Sequence, residues 1–340
     1  MKKAVILFNL GGPDKLESVE PFLFNLFNDP AIISIPSIFR YPLAKLISKR
    51  RAPVAKNIYK EIGNKSPILE LTQDQAKSLE NNLNKKGDYK CFVVMRCWHP
   101  RASGVIKKVK EYNPEEIILL PLYPQYSAST SGSSINEWNE LCKKENYKIK
   151  TKIICCYPTE NYFIESHVNL IKQSIKNLEN KNFKLFFSAH GLPESKIKKG
   201  DPYQWHVEET VKEIMSRLKN ENLDYIISYQ SRVGPMKWIG PSTDEEIIKY
   251  SKEKKGIVIV PVAFVSEHSE TLVELDIEYK KLAEKNGCTF YKRVPALGVE
   301  ENFIKGLAQL VLQQETRGNF VSSVICPDNY IKCPCLEIEV

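Results

Sequence analysis

An imidazole and a row of carboxylates stand together in Phe264-Val265-Ser266-Glu267-His268-Ser269-Glu270-Thr271-Leu272-Val273-Glu274-Leu275-Asp276, directly after the apolar run Ile257 to Ala263. The run reads as a strand buried on both faces, so these groups fall where a strand ends and a helix begins. Open α/β sheets bind ligands at such ends. From Glu267, Glu270 and Glu274 follow at three and seven residues, which on an α-helix places all three on one face. A second apolar strand, in Phe183 to Pro193 (FKLFFSAHGLP), ends on His190 ahead of Gly and Pro. The chain has five histidines, and two of them sit at strand ends of this kind. In one parallel sheet both imidazoles would reach the same edge. Imidazole and carboxylate together suit a borderline divalent metal such as Fe2+. The same pair also moves protons near neutral pH, and spacing leaves both roles open.

The elements that must position these groups repeat within the chain. Ala4 to Pro13 (AVILFNLGGP) parallels Lys184 to Pro193 (KLFFSAHGLP). Ile117 to Pro124, with Ser127, Ser129 and Ser131 behind it, parallels Ile257 to Phe264 with Ser266 and Ser269. Further strands are expected at Tyr89 to Met95, Ile149 to Cys155 and Leu223 to Tyr229. Helices are expected over Leu69 to Leu83, Glu165 to Leu178, His206 to Leu218 and Leu272 to Lys285. This alternation predicts an α/β fold of two Rossmann-like, doubly wound domains with parallel sheets flanking a central cleft. The expected division is 1–155 and 156–325, followed by a Cys-containing tail at 326–340.

Composition narrows the function. The chain has 340 residues, 42% hydrophobic and 26% charged, as in an ordinary globular protein. Its net charge of +8 favours an anionic small molecule or an anionic membrane surface. No zinc finger, RNA-binding signature or basic arm points to nucleic acid. Gly11-Gly12-Pro13 lacks dinucleotide spacing, and Pro13 removes an N–H that could have met phosphate. The apolar start, Ala4 to Leu10, is too short and lacks a cleavage site for a signal peptide, and no run is long enough to span a membrane. A cytoplasmic protein is expected. Ile32 to Ile47, interrupted by prolines and followed by Ser48-Lys49-Arg50-Arg51, reads as an apolar lip over about 32–50 beside basic residues. Such a lip suits a greasy anionic ligand or peripheral contact with a membrane.

Other strand ends carry flat and cationic groups. Met95 to Pro100 holds Arg96 and Trp98; Pro121 to Ser127 holds Tyr123 and Tyr126. Tyr229 to Pro241 presents Trp238 between two Gly-Pro pairs. Aromatics, imidazoles, acids and arginines on one sheet edge fit a planar apolar ligand with peripheral carboxylates and a metal at its centre. Nine cysteines, an odd number, argue against a full disulfide framework. Cys326, Cys333 and Cys335 form C-x6-C-x-C in the tail, a thiol group suited to a metal or iron–sulfur cluster that needs a fourth ligand from the body.

These residues resemble the ferrochelatase family, whose members insert Fe2+ into a porphyrin to make haem. The blocks are NLGGP (9–13), RRAP (50–53), SPI (66–68), YPQYS (123–127), TSGSS (130–134), SAHGLP (188–193), GDPY (200–203), YQSRVGPMKWIGPSTDE (229–245) and HSETLVELDIEY (268–279). The resemblance implies Fe2+ and protoporphyrin IX as substrates, two protons released, and an upstream enzyme of the haem pathway as a partner. It implies His190 as the catalytic imidazole, with Glu270 its partner across the cleft, these two serving as base or metal ligand. Glu274, Asp276 and Glu278 would extend an acidic track for protons or metal, with His268 supporting Glu270. Leu10, Tyr123, Trp238 and Phe264 would wall the porphyrin, Arg51, Tyr59, Ser66 and Ser231 would hold its propionates, and Arg96 would face the metal side. Leu10 stands where relatives carry Met or Tyr, and Glu267 where Asp is common.

The tail spacing resembles that of a branch carrying a [2Fe–2S] cluster. The fourth cysteine of relatives would fall near Ile135 or Ser166, so Cys155 or Cys156 stands as a substitute. Two other readings remain: a chelatase for coproporphyrin or another tetrapyrrole, and a non-catalytic porphyrin carrier. The apolar lip favours protoporphyrin over a more carboxylated ring, and His190 kept together with Glu270 speaks against a carrier.

Overall fold

The structure, a computed structural model, describes residues 1–178, 182–219, 222–232, 234, 236–313 and 318–336. The chain divides into two compact units, Met1–Cys156 with Leu307–Ser322, and Tyr157–Gly306 with the tail from Ser323. Each is built on a parallel sheet whose strands read as apolar runs because helices cover both faces.

In the first unit the strands are β1 (Lys2–Asn9), β2 (Asp88–Met95), β3 (Glu116–Pro121), β4 (Lys150–Cys156) and β9 (Phe320–Ser322), ordered β2-β1-β3-β4-β9. In β1, Ala4, Val5, Ile6, Leu7 and Phe8 are buried. Each large apolar side chain so enclosed contributes roughly 1.5–3 kcal/mol. Phe8 and Trp138 meet edge to face in this core, with Ile106, Val109 and Leu119 in the same cluster.

In the second unit the strands are β5 (Phe183–His190), β6 (Tyr225–Gln230), β7 (Gly256–Pro261) and β8 (Tyr291–Arg293), ordered β6-β5-β7-β8. The order β2-β1-β3-β4 of the first sheet is repeated strand for strand, which is the structural form of the repeat in the sequence. The echo extends beyond the strands. β3 and β7 each lead, through a Ser-containing loop, into a π-helical turn, Ala128–Gly132 after β3 and Glu270–Glu278 after β7. In the second sheet His190 lies level with Gln230 of β6, and Ser188 with Pro261 of β7.

Two expectations need correction. Residues 307–322 do not stay with the second half: the chain returns, and β9 pairs with β4 from Ile153↔Phe320 onward. The stretch expected as one α-helix from Leu272 is instead π-helical over Glu270–Glu278 and α-helical only over Tyr279–Lys285. The apolar stretch expected as a lip enters the helix Ser37–Lys60, which contains Pro42 and Pro53. Its start exposes Ile38, Phe39 and Tyr41, and Lys49, Arg50 and Arg51 follow on the same helix.

Candidate functional site

The second unit gathers most of the expected chemistry at the C-terminal edge of its sheet. His190, the last residue of β5, places Nδ1 2.9 Å from Glu270 Oε2. The sequence reading set Glu270 across the cleft; it lies in the same unit, because β5 and β7 are neighbours and the chain leaving β7 returns over the end of β5. His268 Nε2 stands 3.9 Å from the same Glu270 oxygen. Its Nδ1 is buried with no hydrogen-bond partner among the described residues, and its ring packs 4.7 Å from that of Phe264.

Electrostatics tie these groups together. Burial alone would raise the Glu270 carboxyl, but His190 and then His268 override it and hold its pKa at about 2. Burial disfavours the His190 imidazolium, yet the Glu270 charge and hydrogen bond, with Glu274 beyond, bring its pKa above the usual value. The resting pair is therefore imidazolium and carboxylate over a range reaching above the ordinary histidine pKa of 6.5. The His190 side chain keeps 39% of its surface accessible. His268 shifts the opposite way, lowered chiefly by burial.

Glu274 is one π-helical turn beyond Glu270. Its carboxylate accepts from Ser231 Oγ at 2.5 Å, Ser231 N at 3.0 Å, Gln230 Nε2 at 3.1 Å and Tyr279 Oη at 2.9 Å. Burial and then the Glu270 charge raise its pKa in spite of the Ser231 and Tyr279 hydrogen bonds. Here two carboxyl groups one turn apart are driven in opposite directions. Such a divergence separates a group that stays ionised from one able to hold a proton. Ser231, expected at a propionate, is thus engaged with Glu274, and it adopts a left-handed backbone with φ 60°.

The acidic row stops short of its expected length. Asp276 is taken by Arg293 of β8 through two bonds, Nε to Oδ1 at 2.7 Å and Nη2 to Oδ2 at 2.8 Å. Glu267 is taken by the same guanidinium, Nη1 to Oε1 at 2.8 Å, and Glu278 is exposed. Glu267 also lies outside the helix, so the expected face of 267, 270 and 274 reduces to Glu270 and Glu274. Trp238 packs on the loop after His190: a Cβ on Gly191 would lie 3.3 Å from its ring and 3.0 Å from the Gln230 carbonyl. That close approach explains the glycine of the SAHGLP block.

The expected residues of the first unit form their own neighbourhoods. Arg96 is locked by Asp29 at 2.9 Å, Glu137 at 3.2 Å and Ser133 Oγ at 2.7 Å. Tyr123 has its hydroxyl buried without a hydrogen-bond partner among the described residues, and burial raises its pKa. Leu10 packs against the cluster that includes Tyr59, Phe22 and Cys97. Ser66 is buried and its N–H donates to the Pro13 carbonyl at 2.8 Å. Arg51 is exposed.

In the tail, Cys326, Cys333 and Cys335 are buried. The Cys333 and Cys335 sulfurs lie within 4.8 Å of each other, and Cys326 Sγ sits 3.2 Å from His206 Nε2. The tail docks on the helix Tyr203–Leu218 and the turn before it. Tyr330 stacks on Trp205, Lys332 N–H donates to the Gly200 carbonyl at 3.0 Å, and Gly200, at φ 87°, leaves no room for a Cβ beside Ile331. Cys333 and Cys335 thus supply two converging buried thiols of the kind an iron–sulfur cluster requires, while Cys326 is engaged with His206.

Sequence reasoning missed Arg293, Tyr279 and Tyr291. Each is a single polar residue in a short or amphipathic element, and only the fold shows that all three face the π-helical turn.

Sheet order and site together define an α/β protein of the chelatase type. Among solved structures, SirB from Bacillus subtilis with Fe3+ shares the fold, with a TM-score of 0.54 over 92% of this chain and 95% of that one at 12% identity. The profile of the ferrochelatase family matches residues 2–315. The ferrochelatase of Pelagibacter ubique is 64% identical with 100% of both chains covered, and that of Rickettsia felis is 50% identical with 98% of this chain and 99% of that one covered. The chain belongs to the ferrochelatase family.

Proposed function

We propose that this chain inserts Fe2+ into protoporphyrin IX, releasing two protons and forming protohaem. The observation that carries the reading is the His190–Glu270 pair, hydrogen-bonded at 2.9 Å with the imidazole side chain partly accessible. Insertion exchanges two pyrrole N–H protons for one Fe2+, so the site must remove protons without repelling a cation. His190, once neutral, presents a lone pair at Nε2 while Glu270 orients the ring through Nδ1. A proton taken at Nε2 creates an imidazolium that the Glu270 carboxylate stabilises. Glu274, with its raised pKa, is placed to receive a proton one turn further on. In the proposal Leu10, Tyr123, Trp238 and Phe264 meet the macrocycle, and Arg51, Tyr59, Ser66 and Ser231 serve its propionates, Ser231 by exchanging partners with Glu274.

The test is anaerobic Fe2+ insertion followed by loss of the free-base porphyrin bands. His190→Ala should lower the rate by roughly 10²–10⁴-fold, the range of a lost general base, while porphyrin still binds. Insertion by this variant at the wild-type rate would remove the reading.

The finer proposals follow the same family. A [2Fe–2S] cluster would be held by Cys326, Cys333 and Cys335, with its fourth ligand unassigned; Cys155 and Cys156 are the sequence candidates. Bound there, it would fix the fold of the tail and carry one electron. Protein purified without oxygen should then show visible absorption and, once reduced, an electron paramagnetic signal; colourless, iron-free protein would remove the cluster. A cytoplasmic protein that meets the inner face of the membrane, and an upstream haem-pathway enzyme delivering the porphyrin, complete the proposal.

A further inference from the structure

Arg293 sits on the edge strand β8, outside the family blocks quoted above. Its guanidinium nevertheless binds on both sides of Glu270. It holds Asp276 bidentately from within the π-helical turn and Glu267 from the segment that leads into it. One residue pair away on the same strand, Tyr291 donates its hydroxyl to the Leu275 carbonyl at 2.6 Å. The Glu267 oxygen that Arg293 binds also accepts from Ala296 N at 3.0 Å, fixing the loop after β8 to the same point. β8 is itself in register with β7, Ile257↔Tyr291 and Ile259↔Arg293. The clamp is therefore referenced to the sheet that carries His190.

A π-helix is rare because its wider turn is less favourable than the α form, and something must hold it. The π-helix rotates less per residue than the α-helix. Over the six residues from Glu270 to Asp276, conversion would turn one side chain by roughly 100° relative to the other. Glu270 can meet His190 while Asp276 meets Arg293 only in the wider form. The register persists to the end of the turn, where Tyr279 N–H donates to the Glu274 carbonyl, five residues back.

We propose that Arg293, assisted by Tyr291, is a positioning residue for the reaction: it holds the Glu270–Glu278 turn in its π form and thereby aims Glu270 at His190 and Glu274 at Ser231. The inference rests on the chelatase reading given above. Charge alone does not suffice for this role, because the planar fork engages two carboxylates that a single ammonium cannot bind in the same way.

The test compares Arg293→Gln, Arg293→Lys and Tyr291→Phe with the wild type. Arg293→Gln should lower kcat for Fe2+ insertion by roughly tenfold or more while the porphyrin Kd stays within about threefold, the signature of lost transition-state alignment. Arg293→Lys should restore only a small part of kcat, and Tyr291→Phe should show a smaller loss of the same kind. In amide hydrogen exchange, peptides covering 267–279 should exchange faster in Arg293→Gln, with the β5 and β6 peptides unchanged. A folded Arg293→Gln protein with wild-type kcat and wild-type exchange at 267–279 would overturn the proposal. So would full rescue by Lys, or porphyrin binding lost in step with kcat. If Arg293→Gln does not fold, Tyr291→Phe carries the same comparison. If the wild type itself inserts no iron, the chelatase reading fails, and the exchange data still decide whether β8 holds the turn.

Discussion

At the scale of single residues, the pair His190–Glu270 sets the pH dependence expected of turnover. Its resting state is an imidazolium beside a carboxylate, and either proposed role of His190 needs the neutral ring. The Glu270 charge raises the His190 pKa above 6.5, so turnover should climb with pH through a point above that value. Removing the charge removes the cause. In Glu270→Gln the imidazole loses its proton more easily, and the acid limb of kcat should move to lower pH while the plateau falls because the ring is no longer oriented. A rate profile of both proteins between pH 5.5 and 8.5 checks this, and an unmoved limb, or one displaced to higher pH, sinks it. His190, Glu270 and Glu274 stood out in the sequence because His and Glu at the ends of apolar runs are chemically unusual, while their roles came from the family resemblance. Arg293 was not, since a lone Arg after Tyr-Lys is unremarkable until β8 is seen beside the turn. The pairing of Ser231 with Glu274 was equally hidden, because no local pattern links residues so far apart in sequence.

At the scale of elements, apolar runs gave the strands well. Tyr89 to Met95 became Asp88–Met95, and Ile149 to Cys155 became Lys150–Cys156. Long amphipathic helices were placed to within a few residues, as with Leu69 to Leu83 against Ile68–Leu83. Elements held together by tertiary contact escaped. β8 and β9 have three residues each, too few for any periodicity to register. The π form of Glu270–Glu278 escaped for a related reason: its apolar positions also fit an α-helix, and the difference is set by Tyr291 and Arg293. The helix Ser37–Lys60 carries a prediction of its own. Ile38 is 75% and Phe39 65% exposed, and Lys45, Lys49, Arg50 and Arg51 follow along the same helix. Large exposed apolar residues beside a basic run fit the surface of an anionic bilayer. The protein should co-float with vesicles containing anionic lipid, weakly with neutral ones, and less as salt rises. Ile38→Ser with Phe39→Ser should abolish co-flotation of the porphyrin-free protein. Equal binding of this variant and the wild type would assign the exposed face to something other than lipid.

At the scale of the whole molecule, the internal repeat announced two sheets of one topology, but not the return of Leu307–Ser322 to the first unit, because that return depends on a single short strand. Two units with separate cores also mean that stability must be argued unit by unit, since a chain of this kind need not unfold in one step. The second unit contains the clearest defect. His167, on the helix Asn161–Ile175, is buried with neither ring nitrogen hydrogen-bonded among the described residues, its ring 4.9 Å from Phe163. Burial lowers its pKa from 6.5 to about 3. The sign follows directly: above pH 6.5 the ring is neutral whether folded or unfolded, so its protonation costs nothing there. As pH falls from 6.5 towards 3 the unfolded chain takes up a proton that the folded one refuses, and stability is lost by up to about 1.4 kcal/mol per pH unit. His268, also lowered by burial, acts in the same direction. Glu270, with its pKa lowered to about 2, adds its own loss only once pH drops below the ordinary carboxylate range. His167→Leu removes the orphaned polar ring at nearly constant shape. It should stabilise the second unit by about 1–3 kcal/mol at pH 7 and flatten the decline between pH 6.5 and 5. Urea unfolding at these pH values, read by probes placed in each unit, separates the outcomes. A variant whose second-unit midpoint still falls with pH as steeply as the wild type's would show that the titration governing acid stability lies elsewhere, and a shift confined to the first unit would contradict the placement of His167 in the core of the second.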